Sequence, residues 1–323
     1  YRKRSAKPLL DEVEMLHKDY GITYMAFSDD LLMSSVVHTE EVCKEFLKRN
    51  LPVKWWCNGR LNYCSEELLQ LMKDAGCVFI NYGIENMDQK VLNNMKKGLR
   101  PEMIVRGIED TLKVGISPGL NFIFGNKGDN KETMKKMVDF LIKYDDFAQK
   151  RTIRPVTPYP GSPLYFDAIE MGLLDKNNPA EDFYERKHLN SDLICCNFTE
   201  LSDNEYYESL RWANKTLMKN YFDKQKTSTL TQIERLYKEK DTSFRGFRHN
   251  AGAGPLGEKA NSKRTIAIEG SEVMDGLVNW EGSQTSDGDR FSQNFSNGEK
   301  KTSLRSFAIY LERKEKRAAE KLL

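Results

Sequence analysis

Five short apolar runs in the first 160 residues lead into polar residues of the kind that hold ligands. Ser28, Asp29 and Asp30 close "ITYMAF". Asn58 and Arg60 close "PVKWWC". Asn81 lies in "CVFINYG" and Glu85 just beyond it. Asn121 lies in "GLNFIFG", which ends on Gly125 and Asn126, and Thr157 follows "TIRPV". Adjacent carboxylates such as Asp29 and Asp30 repel each other and are costly to desolvate, so the pair asks for a partner. Taken alone it allows a helix cap, a metal site or an acid–base pair. Arg60 is a fixed cation that suits a carboxylate, or equally a surface ion pair of little worth. Glu85 alone reads as readily as a loop acid. No nucleophile is paired with a base in this set, and no catalytic residue is assigned.

The elements that must position these groups follow from periodicity. Leu10, Val13 and Leu16 share one helical face, and Gly21 stops that helix. Thr39 is read as the cap of a second helix through Arg49, with Glu40 and Glu41 in its first turn. Ser65, Asp88 and Asn130 are read as further caps, and Pro101 as the start of another helix. The apolar runs between these helices read as strands. Alternation of strand and helix predicts a parallel α/β layout, in which ligands bind at the carboxyl ends of the strands. The turns preceding the strands are plain (Gly21, Gly76, Gly115), whereas those following them carry the polar groups. No G-x-G-x-x-G follows a strand, which counts against dinucleotide binding.

Composition narrows the function classes. Lys and Arg number 50 against 48 Asp and Glu, so no global charge argues for nucleic acid or an anionic membrane. No apolar run is long enough to span a bilayer. The six cysteines are scattered, without C-x-x-C, and read as reduced thiols of a cytoplasmic protein rather than a disulfide framework. The four histidines show no H-x-x-x-H, and no zinc site is expected. Trp55 and Trp56 are expected to divide between core and barrel lining, and Cys77 and Cys195 to fill apolar space. Ser202 is read as the cap of a helix with Tyr206, Leu210, Ala213, Leu217 and Tyr221 on one face. Beyond it the texture turns rich in Gly and Ser, with one isolated strand at 264–271 and a charged terminal helix.

In order, "RKRSAKPLLDEVEMLHKDYGI", "FSDD", "WWCNGRLN", "LLQLMKDAGCVFINYGIEN", "GLNFIFG" with a following "ET", and "PYPGSPLY" resemble the radical S-adenosylmethionine (SAM) superfamily over roughly residues 1–175. The likeness is greatest to proteins of that superfamily associated with cobalamin-binding domains. The resemblance implies a partial (β/α)6 TIM-like barrel, its first strand and cluster loop missing, followed by a helical C-terminal extension and a low-complexity tail. Residues 1–175 would be the barrel, 176–240 the extension, and 241–323 a flexible segment with the charged helix.

By the same resemblance Ser28, Asp29 and Asp30 stand at the place of the family's Gly-Gly-Glu motif, which binds the amino group of SAM. Glu85 matches the acidic position near the ribose and methionyl group. Asn121 and Gly125 lie in the motif beside the adenine, although "NKGDNKET" replaces the usual Pro-Gly-Glu continuation. Arg60 is expected to pair with the SAM carboxylate or an acidic substrate, and Asn58 and Asn81 to line the same pocket.

The family binds a [4Fe–4S] cluster through C-x-x-x-C-x-x-C, and this sequence contains no such triplet. Cys57 and Cys64 have the wrong spacing. The cluster ligands are expected upstream of Tyr1, the chain being read as a truncated segment, and no metal ligand is assigned within it. The resemblance then implies an enzyme that, at full length, cleaves SAM reductively to begin radical chemistry on a small-molecule substrate. Methyl transfer, cyclisation and oxidation are the reaction classes it implies, with cobalamin as methyl carrier or radical partner and a flavodoxin or ferredoxin as electron donor. The isolated chain is expected to be inactive. Two other readings stand beside it. One is a non-catalytic barrel that binds a nucleotide or a partner protein. The other is a different (β/α) barrel enzyme using Asp29, Asp30 and Glu85.

Overall fold

The computed structural model describes residues 3–27 and 31–240. Ser28, Asp29 and Asp30, the strand expected at 264–271 and the charged terminal helix lie outside the described residues. Five strands form one parallel sheet in chain order: β1 (Tyr24–Ala26), β2 (Lys54–Gly59), β3 (Cys77–Glu85), β4 (Ser117–Phe124) and β5 (Ile153–Pro155). The sheet curls into a half-barrel, as the resemblance implied, and not into the doubly wound sheet that strand–helix alternation alone equally allows. The intervening segments carry α1 (Ala6–Tyr20), α2 (Val36–Arg49), α3 (Glu66–Asp74), α4 (Gln89–Asn94), α5 (Pro101–Lys113) and α6 (Lys131–Tyr144). After β5 come α7 (Pro163–Glu170), α8 (Pro179–Arg186) and the long α9 (Asp203–Lys238).

Parallel pairing sets which residues share a face. Trp56 pairs with Phe79, Asn58 with Asn81, Asn81 with Gly119, and Gly83 with Asn121. The opposite face carries Trp55, Cys57, Ile80, Tyr82, Ile84, Leu120, Phe122 and Phe124, all buried in one cluster with helix residues such as Phe46, Leu69, Met72 and Ile108. That alternation puts apolar side chains under the helices and leaves the concave face to the polar ones. Trp55 stacks on Phe46 at 5.6 Å and donates its indole N–H to the Ala75 carbonyl at 2.8 Å. Trp56 points the other way, edge-on to Phe79 at 6.0 Å. Cys77 and Cys195 are both buried, as fillers should be.

The caps at Ser65, Asp88, Asn130 and Ser202 form as expected, and Asn130 and Ser202 complete reciprocal capping boxes. The second helix differs. Ser35, not Thr39, is its cap, accepting from the His38 amide. Thr39 is buried inside the first turn and returns its hydroxyl to the Ser35 carbonyl at 2.9 Å. The exposed, β-branched Val36 and Val37 disguise that turn as non-helical. Glu40 and Glu41 therefore sit past the first turn.

The edge of β5 is not left open. Asn214 of α9 donates its amide to the Ile153 carbonyl at 2.9 Å and accepts the Ile153 N–H at 2.8 Å, standing in for a sixth strand at that residue. A second, smaller core gathers Val156, Tyr165, Phe183, Cys195, Cys196 and Phe198, with Ile123 of the concave face packed against it. Among the described residues no helix is long and apolar enough to cross a membrane.

Candidate functional site

Three asparagines from three adjacent strands meet on the concave face. Asn121 of β4 donates its amide to Asn81 Oδ1 at 2.6 Å, and Asn81 of β3 donates to Asn58 Oδ1 of β2 at 3.0 Å. Their side chains form a rail of carboxamides running across the sheet in one donor-to-acceptor direction. Gly119 makes room for it: a Cβ there would press on the Asn81 amide and lie 2.8 Å from Asn81 Cα. The rail satisfies polar groups internally yet leaves Asn121 exposed to the barrel's open side.

Beyond the rail β3 bulges, its register shifting between Gly83 and Glu85. Glu85 adopts φ +70°, a left-handed conformation uncommon for a residue with a side chain. Its carboxylate lies where a Cβ on Gly83 would come within 2.5 Å of Oε1, so glycine is what lets it fold back. There it accepts the Lys97 ammonium at 2.9 Å, with the Glu85 side chain 18 % exposed. Strained backbone held in this way is a feature of ligand sites. Lys97 was not foreseen from the sequence; only the bulge and the turn at Lys96, φ +53°, bring it to Glu85.

The loop after β4 is fixed by Asp129. Its Oδ2 accepts the Gly125 and Asn126 amides at 3.0 and 2.9 Å, and its Oδ1 accepts Asn86 Nδ2 at 2.8 Å and the Thr133 hydroxyl at 2.7 Å. Burial pushes the Asp129 carboxyl above its usual range, against the opposing pull of these four hydrogen bonds. The carboxylate thus ties the loop after β3 to the loop after β4. Gly125, at φ +106°, packs against Tyr206, whose hydroxyl donates to the Phe124 carbonyl. Arg60 is exposed at the carboxyl end of β2, where its backbone begins a short 3-10 turn.

Four buried side-chain polar atoms have no hydrogen-bond partner among the described residues: Ser34 Oγ, Trp56 Nε1, Asn126 Nδ2 and Thr157 Oγ1. Trp56 lines the concave face, while Ser34, Asn126 and Thr157 lie in the segments that follow β1, β4 and β5. Unpaired buried polar atoms cost roughly 1–3 kcal/mol each and are rare in folded proteins, so each of these calls for a partner, which an ordered water or a bound ligand supplies. The described residues contain no group of three His, Cys, Asp or Glu placed to hold a metal ion.

Of the expected site residues, the structure joins Asn58, Asn81 and Asn121 directly and sets Glu85 next to them across Gly83. Gly125 terminates the same strand as Asn121, Arg60 stands at the rim of β2, and the Ser28–Asp30 turn is outside the described residues. Lys97, Asn86 and Asp129 are additions, and Trp56 takes the expected place on the barrel lining. Asn86 and Asp129 had a signal in retrospect, since Asn86 adjoins Glu85 at a strand end and Asp129 adjoins the expected cap Asn130.

Residues 1–141 match the model of the radical SAM superfamily. The chain is 27% identical over 200 residues to an uncharacterised methyltransferase of Pyrococcus horikoshii, an alignment covering 60% of this chain and 43% of that protein. It is 28% identical over 186 residues to an anaerobic magnesium-protoporphyrin IX monomethyl ester cyclase of Rubrivivax gelatinosus, covering 55% of this chain and 33% of that one. The chain thus spans less than half the length of these relatives. Among solved structures, a radical SAM methyltransferase of Kitasatospora setae, with cobalamin and a [4Fe–4S] cluster bound, superposes with a TM-score of 0.46 at 22% identity over 52% of this chain and 34% of that one. The match over its first 141 residues, with the curled parallel sheet they build, makes this part of the chain similar to the radical SAM superfamily, as its motifs implied.

Proposed function

We propose that the concave face of this half-barrel docks SAM, in a whole protein that is a radical SAM enzyme acting on a small molecule. The orphaned polar atoms of Trp56 on the concave face and of Ser34, Asn126 and Thr157 in the segments after β1, β4 and β5 support this reading, because a bound ligand would supply their missing partners. SAM brings an ammonium, a carboxylate, ribose hydroxyls and a purine. Glu85 and Lys97 offer one charge of each sign at 2.9 Å, which suits the two charged ends of a methionyl group. Asp29 and Asp30 are proposed for the ammonium, and Lys97 joins Arg60 as a proposed partner of the carboxylate. The rail of Asn58, Asn81 and Asn121, with Gly125 and Asn126, is proposed to meet the neutral polar groups.

The cysteines of this chain do not fit a [4Fe–4S] cluster. All six are buried, and their spacing contains no C-x-x-x-C-x-x-C. No step through the cluster is therefore assigned to these residues; what the chain does is bind, orient and exclude water. Methyl transfer or ring closure is proposed as the reaction class, following the names of the relatives, with cobalamin as a further cofactor of the whole protein. A small redox protein as electron donor and a cytoplasmic location complete the proposal, and the barrel is proposed to end near residue 175.

Equilibrium titration of the reduced chain with SAM tests the docking half of this reading, and anaerobic turnover of the whole protein tests the rest. We expect saturable SAM binding that weakens at least tenfold in Glu85→Gln, and release of 5′-deoxyadenosine by the whole protein after cluster reconstitution. A chain that folds but binds SAM no better than Glu85→Gln does would overturn the docking assignment.

A further inference from the structure

Side chains alternate faces along a strand, so Arg154 of β5, set between the buried Ile153 and Pro155, points to the concave face. Its register partner there is Ile123, two residues beyond Asn121 on the same face of β4. The position is fixed, because Asn214 holds both backbone groups of Ile153, the residue just before it. The Arg154 side chain is 58% exposed. Among the described residues its one ion pair is with Asp192, from the irregular segment after α8, at 3.4 Å and through Nε. Asp192 is itself 47% exposed, and its other oxygen lies 3.8 Å from His188 Nδ1.

Asp192 is carried on a defined turn. The Ser191 N–H closes the turn on the His188 carbonyl at 3.0 Å, Ser191 adopts φ +56°, and the Asp192 N–H reaches His188 Nδ1 at 3.3 Å. The Ser191 hydroxyl also shares a hydrogen bond with the Tyr159 hydroxyl at 3.0 Å, and the Lys187 ammonium lies 5.6 Å from the centre of the Tyr159 ring. The turn thus hangs beside the edge of the sheet with a second cation at its base. An exposed ion pair held by one long contact is worth about 0–1 kcal/mol, so its carboxylate is exchanged for another at little cost. The Nη edge of the guanidinium is a fork matched to the two oxygens of one carboxylate.

The proposed docking of SAM leaves this cation unused. SAM carries one carboxylate, which that reading gives to Arg60 and Lys97. Its purine and ribose are neutral and its sulfonium is positive. Parallel strands run about 4.8 Å apart, so the Arg154 backbone stands on the order of 14 Å across the sheet from β2, which carries Arg60, and on the order of 10 Å from β3, which carries Glu85. A second cation on the same open face calls for a second anion. We infer that Arg154 anchors a carboxylate of the small molecule on which the whole protein acts, and that Asp192 is its placeholder, holding the guanidinium over the concave face until that carboxylate takes the fork. The assignment of this anion as substrate rests on the SAM reading. No bond is made or broken at Arg154; it sets specificity, favouring an acid over its neutral amide or ester.

Benzoate, a planar carboxylate, and benzamide, its neutral counterpart, probe the anchor. Titration of the folded chain, followed by NMR of the ligand, should show saturable benzoate binding and at least fivefold weaker binding of benzamide. Arg154→Gln should weaken benzoate at least fivefold, and Arg154→Lys should recover part of that loss. Asp192→Asn, which neutralises the competing carboxylate, should tighten benzoate at least twofold. Circular dichroism confirms that the variants fold, and SAM should bind all three as it binds the native chain. The two readings fail separately. Benzoate held through Arg154 by a chain that takes up no SAM overturns the docking of SAM and leaves the anion site standing. A native chain that binds benzoate no better than benzamide, or an Arg154→Gln chain that keeps benzoate or loses SAM instead, overturns the anchor. Unchanged benzoate affinity in Asp192→Asn overturns the placeholder.

Discussion

Glu85 folds back over Gly83 to meet Lys97, twelve residues further on, at 2.9 Å. Its backbone stays in a left-handed conformation to do so. A functional group kept in a strained conformation trades stability for position, and the trade can be measured from both sides.

Glu85→Gly removes the strain and the carboxylate together. We expect it to raise unfolding stability by about 0.5–1 kcal/mol while SAM affinity falls at least tenfold, or about 1.4 kcal/mol. Lys97→Met keeps the backbone strain but strands the half-buried carboxylate, so stability should fall by about 1 kcal/mol and affinity should fall as well. Urea denaturation beside calorimetric SAM titration separates the two effects.

The rail depends on a missing side chain. Gly119→Ala drives a methyl group against Asn81 and should cost about 1–3 kcal/mol, the usual toll of overpacking. Asn81→Leu removes the middle amide and leaves Asn121 and Asn58 without their shared neighbour. Both variants should lose SAM binding, but a second-site Asn81→Ala in the Gly119→Ala background should recover part of the stability. Additive losses in that cycle would show that Gly119 does not act through Asn81.

Acid should loosen α9 before the barrel. Glu205 is held low, at about 2, first by Lys131 of α6 and then by its bonds to Ser202. A carboxyl group whose folded pKa is depressed contributes stability above its unfolded value of 4.5 and loses it as pH falls towards about 2. Fluorescence of Trp212, which lies on α9, should report a transition in that window, and Glu205→Gln should flatten it. A transition of unchanged size and midpoint in the variant would reassign the acid sensitivity to another group.

The strands and most caps were legible because each rests on local chemistry: Ser65, Asp88, Asn130 and Ser202 bond their own helices within three residues. Ser35 was not, because Val36 and Val37 lack helical character and Thr39, four residues on, is an equally good capping type. The polar strand ends were legible as a set, since parallel sheets gather them whatever their order. Their partners were not. Lys97 reaches Glu85 through a bulge and a left-handed turn, and Asp129 gathers donors from as far back as Asn86, distances that no local pattern encodes.

The asparagine rail works as a vernier. Both of its bonds exist only while three strands are aligned to the residue, and side chains alternate faces along each strand. A slip of β3 by one position would turn Asn81 into the helix-covered layer and bring Ile80 or Tyr82 out in its place. The barrel therefore proofreads its own assembly: a misaligned sheet buries an unpaired amide, displays an apolar side chain and has no rail, so mispairing is penalised by the same residues that make the concave face polar.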